Sequence, residues 1–173
     1  IAIIFLASFY VINSAKKFEY RGLKFDVLKE GNVIFYHTSF PADIGKKMVD
    51  YNVFLRKDPR KLDKIPFNGD LLLKEMTAIN ISGNLDCNGD GVIAIANMRQ
   101  IINALGGDLI NDKNATCDSL DRYTFLQLQE ADKSSLEEFG AACYNLNINK
   151  CEILEVTEKV IVEMLIKVAE KNK

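Results

Sequence analysis

The sequence predicts an α/β or α+β domain: a mixed sheet of about five to seven strands covered by two or three helices, preceded by an apolar N-terminal segment. Three observations lead there. Residues 123–129 and 144–149 alternate apolar and polar side chains, the pattern of half-buried strands. Ile153, Val156, Val160, Ile161, Met164, Leu165 and Val168 recur at helical spacing. A chain of 173 residues with 48% apolar content is also long enough to bury one core without help from metal or disulfides.

The first twelve residues are almost wholly apolar and end at Asn13, with Lys16 and Lys17 beyond. As a helix they would rise only about 18 Å, short of a hydrocarbon core of about 30 Å. Residues 1–17 are therefore expected to be an anchor or assembly segment. In the assembly reading Ile1, Ile4, Phe5 and Phe9 are covered by other copies of the chain. In the anchor reading they meet a membrane. Residues 18–173 form one extracytoplasmic domain, because no linker or repeat divides them.

Phe18, Tyr20, Leu23, Phe25 and Val27 alternate with charged residues, and the turn signal Glu30-Gly31-Asn32 precedes Val33-Ile34-Phe35-Tyr36, so residues 18–40 read as a hairpin that Pro41 ends. His37, the only histidine, reads as a structural hydrogen-bonder beside aromatic residues. Residues 51–55 are a third strand. The basic stretch 56–66 reads as a solvated loop neutralised by Asp58 and Asp63. Residues 71–73 and 78–81 supply another strand or two, and a helix is expected from about residue 95 to Leu105, stopped by Gly106-Gly107. Leu109 and Ile110 begin a short strand before a polar loop, 111–121. Ser134 and Glu137 stand at capping-box spacing, which predicts a helical turn over 134–139. The asparagine face of 144–149 is exposed or pairs with polar groups. The C-terminal helix, 153–169, covers a sheet, with Glu155 and Lys159 on its other side.

Four cysteines and two Asn-x-Ser/Thr patterns bear on location. Cys87, Cys117, Cys143 and Cys151 include no C-x-x-C, and His37 is remote, which argues against zinc. Two disulfides then imply an oxidising compartment, and glycan acceptors at Asn80 and Asn114 agree with it. Three connectivities exist; Cys87 with Cys117 and Cys143 with Cys151 is the expected one. Asn114, in a polar loop, is the better acceptor.

The acidic turn Asp86-Cys87-Asn88-Gly89-Asp90-Gly91 is a candidate calcium loop. Asp86, Asn88 and Asp90 stand at ligand positions one, three and five, with Gly91 at six, but Asn97 occupies the twelfth position where a carboxylate belongs. No nucleophile-base-acid pattern or phosphate-cradling glycine motif can be assembled, so no enzyme activity is expected. A net charge of -2 gives no footprint for nucleic acid.

Segments 35–41, 54–62, 91–97 and 143–149 resemble uncharacterised archaeal proteins that carry one N-terminal hydrophobic anchor and an exterior domain. The resemblance implies a location outside the cell membrane and no particular activity. Together these readings describe a non-catalytic cell-surface protein: a subunit of a surface filament or lattice first, a singly anchored binding domain second.

Overall fold

In a computed structural model that describes residues 16–171, two sheets enclose one helix. The first sheet is an antiparallel meander in the order β1 (Lys17–Tyr20), β2 (Leu23–Glu30), β3 (Val33–Ile44) and β4 (Lys47–Leu55). The second is mixed, and its order is β5 (Phe67–Asn68), β9 (Ser135–Gly140), β10 (Cys143–Ile148), β8 (Thr124–Glu130), β6 (Met76–Ile81), β7 (Asp108–Asn111). All its neighbours run parallel except the pair β9 and β10. Two α-helices occur among the described residues, α1 (Asp90–Ala104) and α2 (Ile153–Lys171), and α1 carries the chain from β6 to the parallel β7. The expected mixed sheet and helices are present. The apolar segment 1–12 lies outside the described residues.

Local chemistry explains where the elements depart from expectation. β3 runs through Pro41 instead of stopping there. Gly45 (φ 63°) and Lys46 (φ 69°) make the tight turn into β4, so Ile44 and Lys47 close it as a hydrogen-bonded pair. Alternation along the ladder then turns the Pro41 nitrogen away from β4, and no bond is lost. The expected helical turn at 134–139 is strand β9: Leu136 is buried opposite Leu146 of β10, and that pairing overrides the capping-box spacing. Residues 71–73 are not a strand, although Leu71 is buried. Helix α1 starts at Asp90, five residues earlier than its apolar spacing indicates.

The larger departure concerns α2. An amphipathic helix lying on a sheet should show water one face, yet its residues from Ile153 through Ile166 are almost all buried, including Glu158, Lys159 and Glu163. The helix packs against β9 and β10 on one side, β2 and β3 on another, and α1 and the 3-10 turn Pro59–Lys64 on the rest. Leu126, Leu128 and Leu146 from the mixed sheet and Phe25, Phe40, Val53 and Leu55 from the meander join it in one core.

Three charges inside that core need partners, because an unpaired buried charge costs several kcal/mol. Glu158, 1% exposed, receives the backbone N–H groups of Arg56 and Lys57 at 2.8 Å each, one on each carboxylate oxygen. Lys159 reaches Asp63 Oδ1 and Glu163 Oε1, both at 3.1 Å. Arg21, at the turn between β1 and β2, pairs with Glu163, and the Tyr20 hydroxyl donates to Asp63. Burial and Asp63 together push the Tyr20 hydroxyl up to about 12. The basic stretch expected to be free loop is thus the clasp between α2 and the meander.

Burial pushes the Glu158 carboxyl up to about 7, against the lowering by the two N–H groups and Lys57. A carboxyl whose folded value is raised stabilises the fold while protonated, and that contribution is lost as pH rises through about 7. The melting temperature should therefore fall by several degrees between pH 5 and pH 8.5, and Glu158→Gln should flatten this slope. A wild-type profile already flat over that window contradicts the assignment.

Candidate functional site

The candidate site is the polar strap 112–122 on the mixed sheet; the open edge of β4 lies apart from it, on the meander. Parallel strands set its geometry: the C-terminal ends of β6 and β10 lie at the same end of the mixed sheet. Cys87, after β6, and Cys151, after β10, meet there as a disulfide with Cα atoms 5.4 Å apart. Cys117 crosses to Cys143 at the start of β10, Cα to Cα 5.6 Å. All four cysteines are therefore in disulfides, but not in the expected pairs. Cys143 and Cys151 sit at opposite ends of the extended β10, roughly 20 Å apart at about 3.3 Å per residue, far beyond disulfide reach. Two disulfides fit an oxidising, extracytoplasmic environment.

The strap 112–122 lies across the sheet face opposite the helices, over Ala78, Phe125 and Cys143. Four contacts hold it. Cys117 is bonded to Cys143, the Asn80 Nδ2 donates to the carbonyls of Lys113 (3.0 Å) and Ala115 (3.1 Å), and Tyr123 donates to Thr116 O at 2.7 Å. Asp118 accepts from both the backbone and guanidinium of Arg122, which hold its carboxyl well below the usual carboxylate range. The two glycan patterns are thereby separated. Asn114 is exposed on a turn closed by Asp112 Oδ1, whereas the Asn80 amide is spent holding that turn in place. On the asparagine face of β10, Asn147 pairs with polar neighbours: its Nδ2 donates to Ser135 Oγ at 2.9 Å and Gln129 Nε2 donates to its Oδ1 at 2.9 Å.

The loop Asp86–Asp90 does not take the shape an EF-hand needs. Helix α1 begins at loop position five, so the backbone of Val92, which would supply the seventh-position carbonyl, is already helical. Asn88 (φ 58°) and Gly89 (φ 91°) are left-handed, and Asp86 makes no side-chain cap. Gly91 has a different duty: a Cβ there would lie 2.1 Å from the Leu85 carbonyl oxygen. Among the described residues no cluster of three or more His, Cys, Asp or Glu is placed to hold a metal.

A cavity of about 600 Å³ opens between Ala42, Leu71, Ile102, Leu105 and Met164. Two of its three lining lysines are engaged, Lys74 with Asp121 at 2.7 Å and Lys167 with Asp70. His37 Nε2 lies 2.8 Å from Asn52 Oδ1 and its ring packs on Phe54, 4.9 Å between centroids, in keeping with a structural role. Among the described residues no helix is long and apolar enough to cross a membrane.

The meander holds what motif reading missed. Among the described residues, six of the twelve exposed large apolar side chains lie on it: Leu28, Ile34, Ile44, Met48, Val49 and Phe54. Met48 is 68% and Phe54 47% exposed, and Phe35 stacks edge-on to Phe54 at 6.4 Å. By strand alternation Leu28, Met48 and Phe54 lie on the face away from the core, whereas Ile34, Ile44 and Val49 lie on the face that also carries Phe40 and Val53. The alternation Lys47-Met48-Val49-Asp50 would have extended the third strand back to its turn, but it was too short to stand out. Comparison with family models, with curated proteins and with solved structures returns no match.

Peptide mapping without reductant should recover linked fragments joining Cys87 to Cys151 and Cys117 to Cys143. Opening either bond should lower stability by about 4 kcal/mol, since each closes a long loop. A fragment joining Cys143 to Cys151 would contradict the fold itself.

Proposed function

We propose that this chain is a non-catalytic, extracytoplasmic cell-surface protein that acts by assembling with copies of itself. The observation that carries the proposal is the set of exposed apolar side chains on the meander, Met48 and Phe54 of β4 foremost, in a domain whose disulfides suit an oxidising compartment. The sequence of residues 1–12 adds a second apolar surface, and burying it fully would contribute on the order of ten kcal/mol at about 25 cal/mol per Å². In this reading Ile1, Ile4, Phe5 and Phe9 drive assembly and the folded domain is displayed outward. Asn114, exposed on its clamped turn, carries a glycan and Asn80 does not.

Removing detergent from the full chain tests the assembly. Wild type should form sedimenting oligomers or filaments, and Phe5→Ser with Phe9→Ser should leave the protein dispersed. Dispersed wild type that binds only to lipid vesicles would favour a singly anchored binding domain instead. Glycopeptide mapping of protein from its source cells should place sugar on the Asn114 peptide; sugar on Asn80 alone would overturn that assignment.

A further inference from the structure

We infer that β4 is a pairing edge, and that its partner is the β4 of a second copy in antiparallel register centred on Tyr51. This deepens the assembly reading and rests on it for its biological role, though not on residues 1–12 for its geometry. β4 is the last strand of the meander, nine residues long, and among the described residues no strand pairs with its outer side. An edge of this length presents unused backbone donors and acceptors, and proteins that avoid pairing shorten, bulge or cover it. Here its register with β3 runs unbroken from Leu55 to Lys47.

The closed turn fixes which groups are free. Because Ile44 and Lys47 form the hydrogen-bonded pair next to the turn, Lys47, Val49, Tyr51, Val53 and Leu55 direct their backbone groups toward β3. Met48, Asp50, Asn52 and Phe54 direct theirs outward. A two-fold axis at Tyr51 pairs these outward residues with one another. Met48 of each copy stands opposite Phe54 of the other, and Asp50 opposite Asn52, while Tyr51 faces its own copy as a non-hydrogen-bonded pair.

Side chains agree with the backbone. The sequence Met48-Val49-Asp50-Tyr51-Asn52-Val53-Phe54 is nearly palindromic in chemistry about Tyr51. Apolar meets apolar at Met48 with Phe54 and at Val49 with Val53, and a carboxylate meets an amide at Asp50 with Asn52. Shifting the axis to Asp50 would set two carboxylates face to face, and shifting it to Asn52 would set Asp50 against Phe54. The Tyr51 register also covers the two most exposed apolar side chains of the strand and joins them to the Phe35 and His37 surface beside Phe54. Such a contact is isologous, so it closes as a dimer.

Register-specific cross-linking of the full chain in mild detergent tests this. Tyr51→Cys brings two sulfurs to a Cα separation of about 4.5 Å, within disulfide range, and should give a disulfide-linked dimer under mild oxidation. Met48→Cys, set opposite Phe54, should stay monomeric. Because Tyr51 packs on Phe40, the exposed double variant Asp50→Cys with Asn52→Cys provides a second test and should also cross-link. Asn52→Pro, which removes an outward N–H, should convert wild-type dimers to monomers in sedimentation. The same cross-links should form with Phe5 and Phe9 changed to serine, so failure of N-terminal assembly leaves the edge contact standing. Absence of cross-links in both cysteine variants, or Met48→Cys linking as readily as Tyr51→Cys, would overturn the edge contact alone.

Discussion

A helix enclosed on nearly every side must dispose of its charges inside the protein, and in α2 that constraint falls on Glu158, Lys159 and Glu163. Each solves it with a partner from the stretch between Arg21 and Asp63: the N–H groups of Arg56 and Lys57, Asp63, and Arg21. The consequence is structural economy. Helix α2 is locked to the meander, and the meander is locked to the mixed sheet through the same helix. Paired buried charges add little net stability over apolar residues of the same shape, but a mispaired one is costly, so the arrangement selects one docking of the two sheets.

That docking decides what remains outside. The meander turns Phe25, Phe40, Val53 and Leu55 inward to α2, and among the described residues no strand pairs with the outer edge of β4. On the mixed sheet the helices occupy one face, and the strap 112–122, held by a disulfide, an ion pair and the Asn80 amide, crosses the other. The exposed turn at Asn114 is therefore on a rigid mount. The two disulfides that hold these elements suit an oxidising compartment.

Much of this was legible in the sequence where a periodicity or a turn signal acted alone. The strands at 124–130 and 143–148, the helix from Ile153 and the turn at Gly31 follow from patterns that the tertiary structure does not contest. Failures came where distant chain segments decided the outcome. β9 has helix-capping residues, but Leu136 pairs with Leu146 and the strand wins. Lys159 and Glu155 look like a solvent-facing pair, yet Lys159 is buried because Asp63 and Glu163 wait for it, while Glu155 meets Lys57 at 2.9 Å. The disulfide pairing was an error that strand geometry alone could have prevented, since an extended segment cannot bring its own ends together. The open edge of β4 was invisible because only topology shows which strand is last.

Native-state hydrogen exchange at the backbone amides of Arg56 and Lys57 probes the central constraint most directly. These amides sit in a loop between β4 and the 3-10 turn, where exchange would ordinarily be fast. If the buried Glu158 carboxylate holds both and ties α2 to the meander, they should exchange only on global unfolding, with the same opening free energy as Val160 and Ile161 in the helix. Exchange at the rate of an open loop, with α2 still protected, would show that the two sheets are not locked through Glu158.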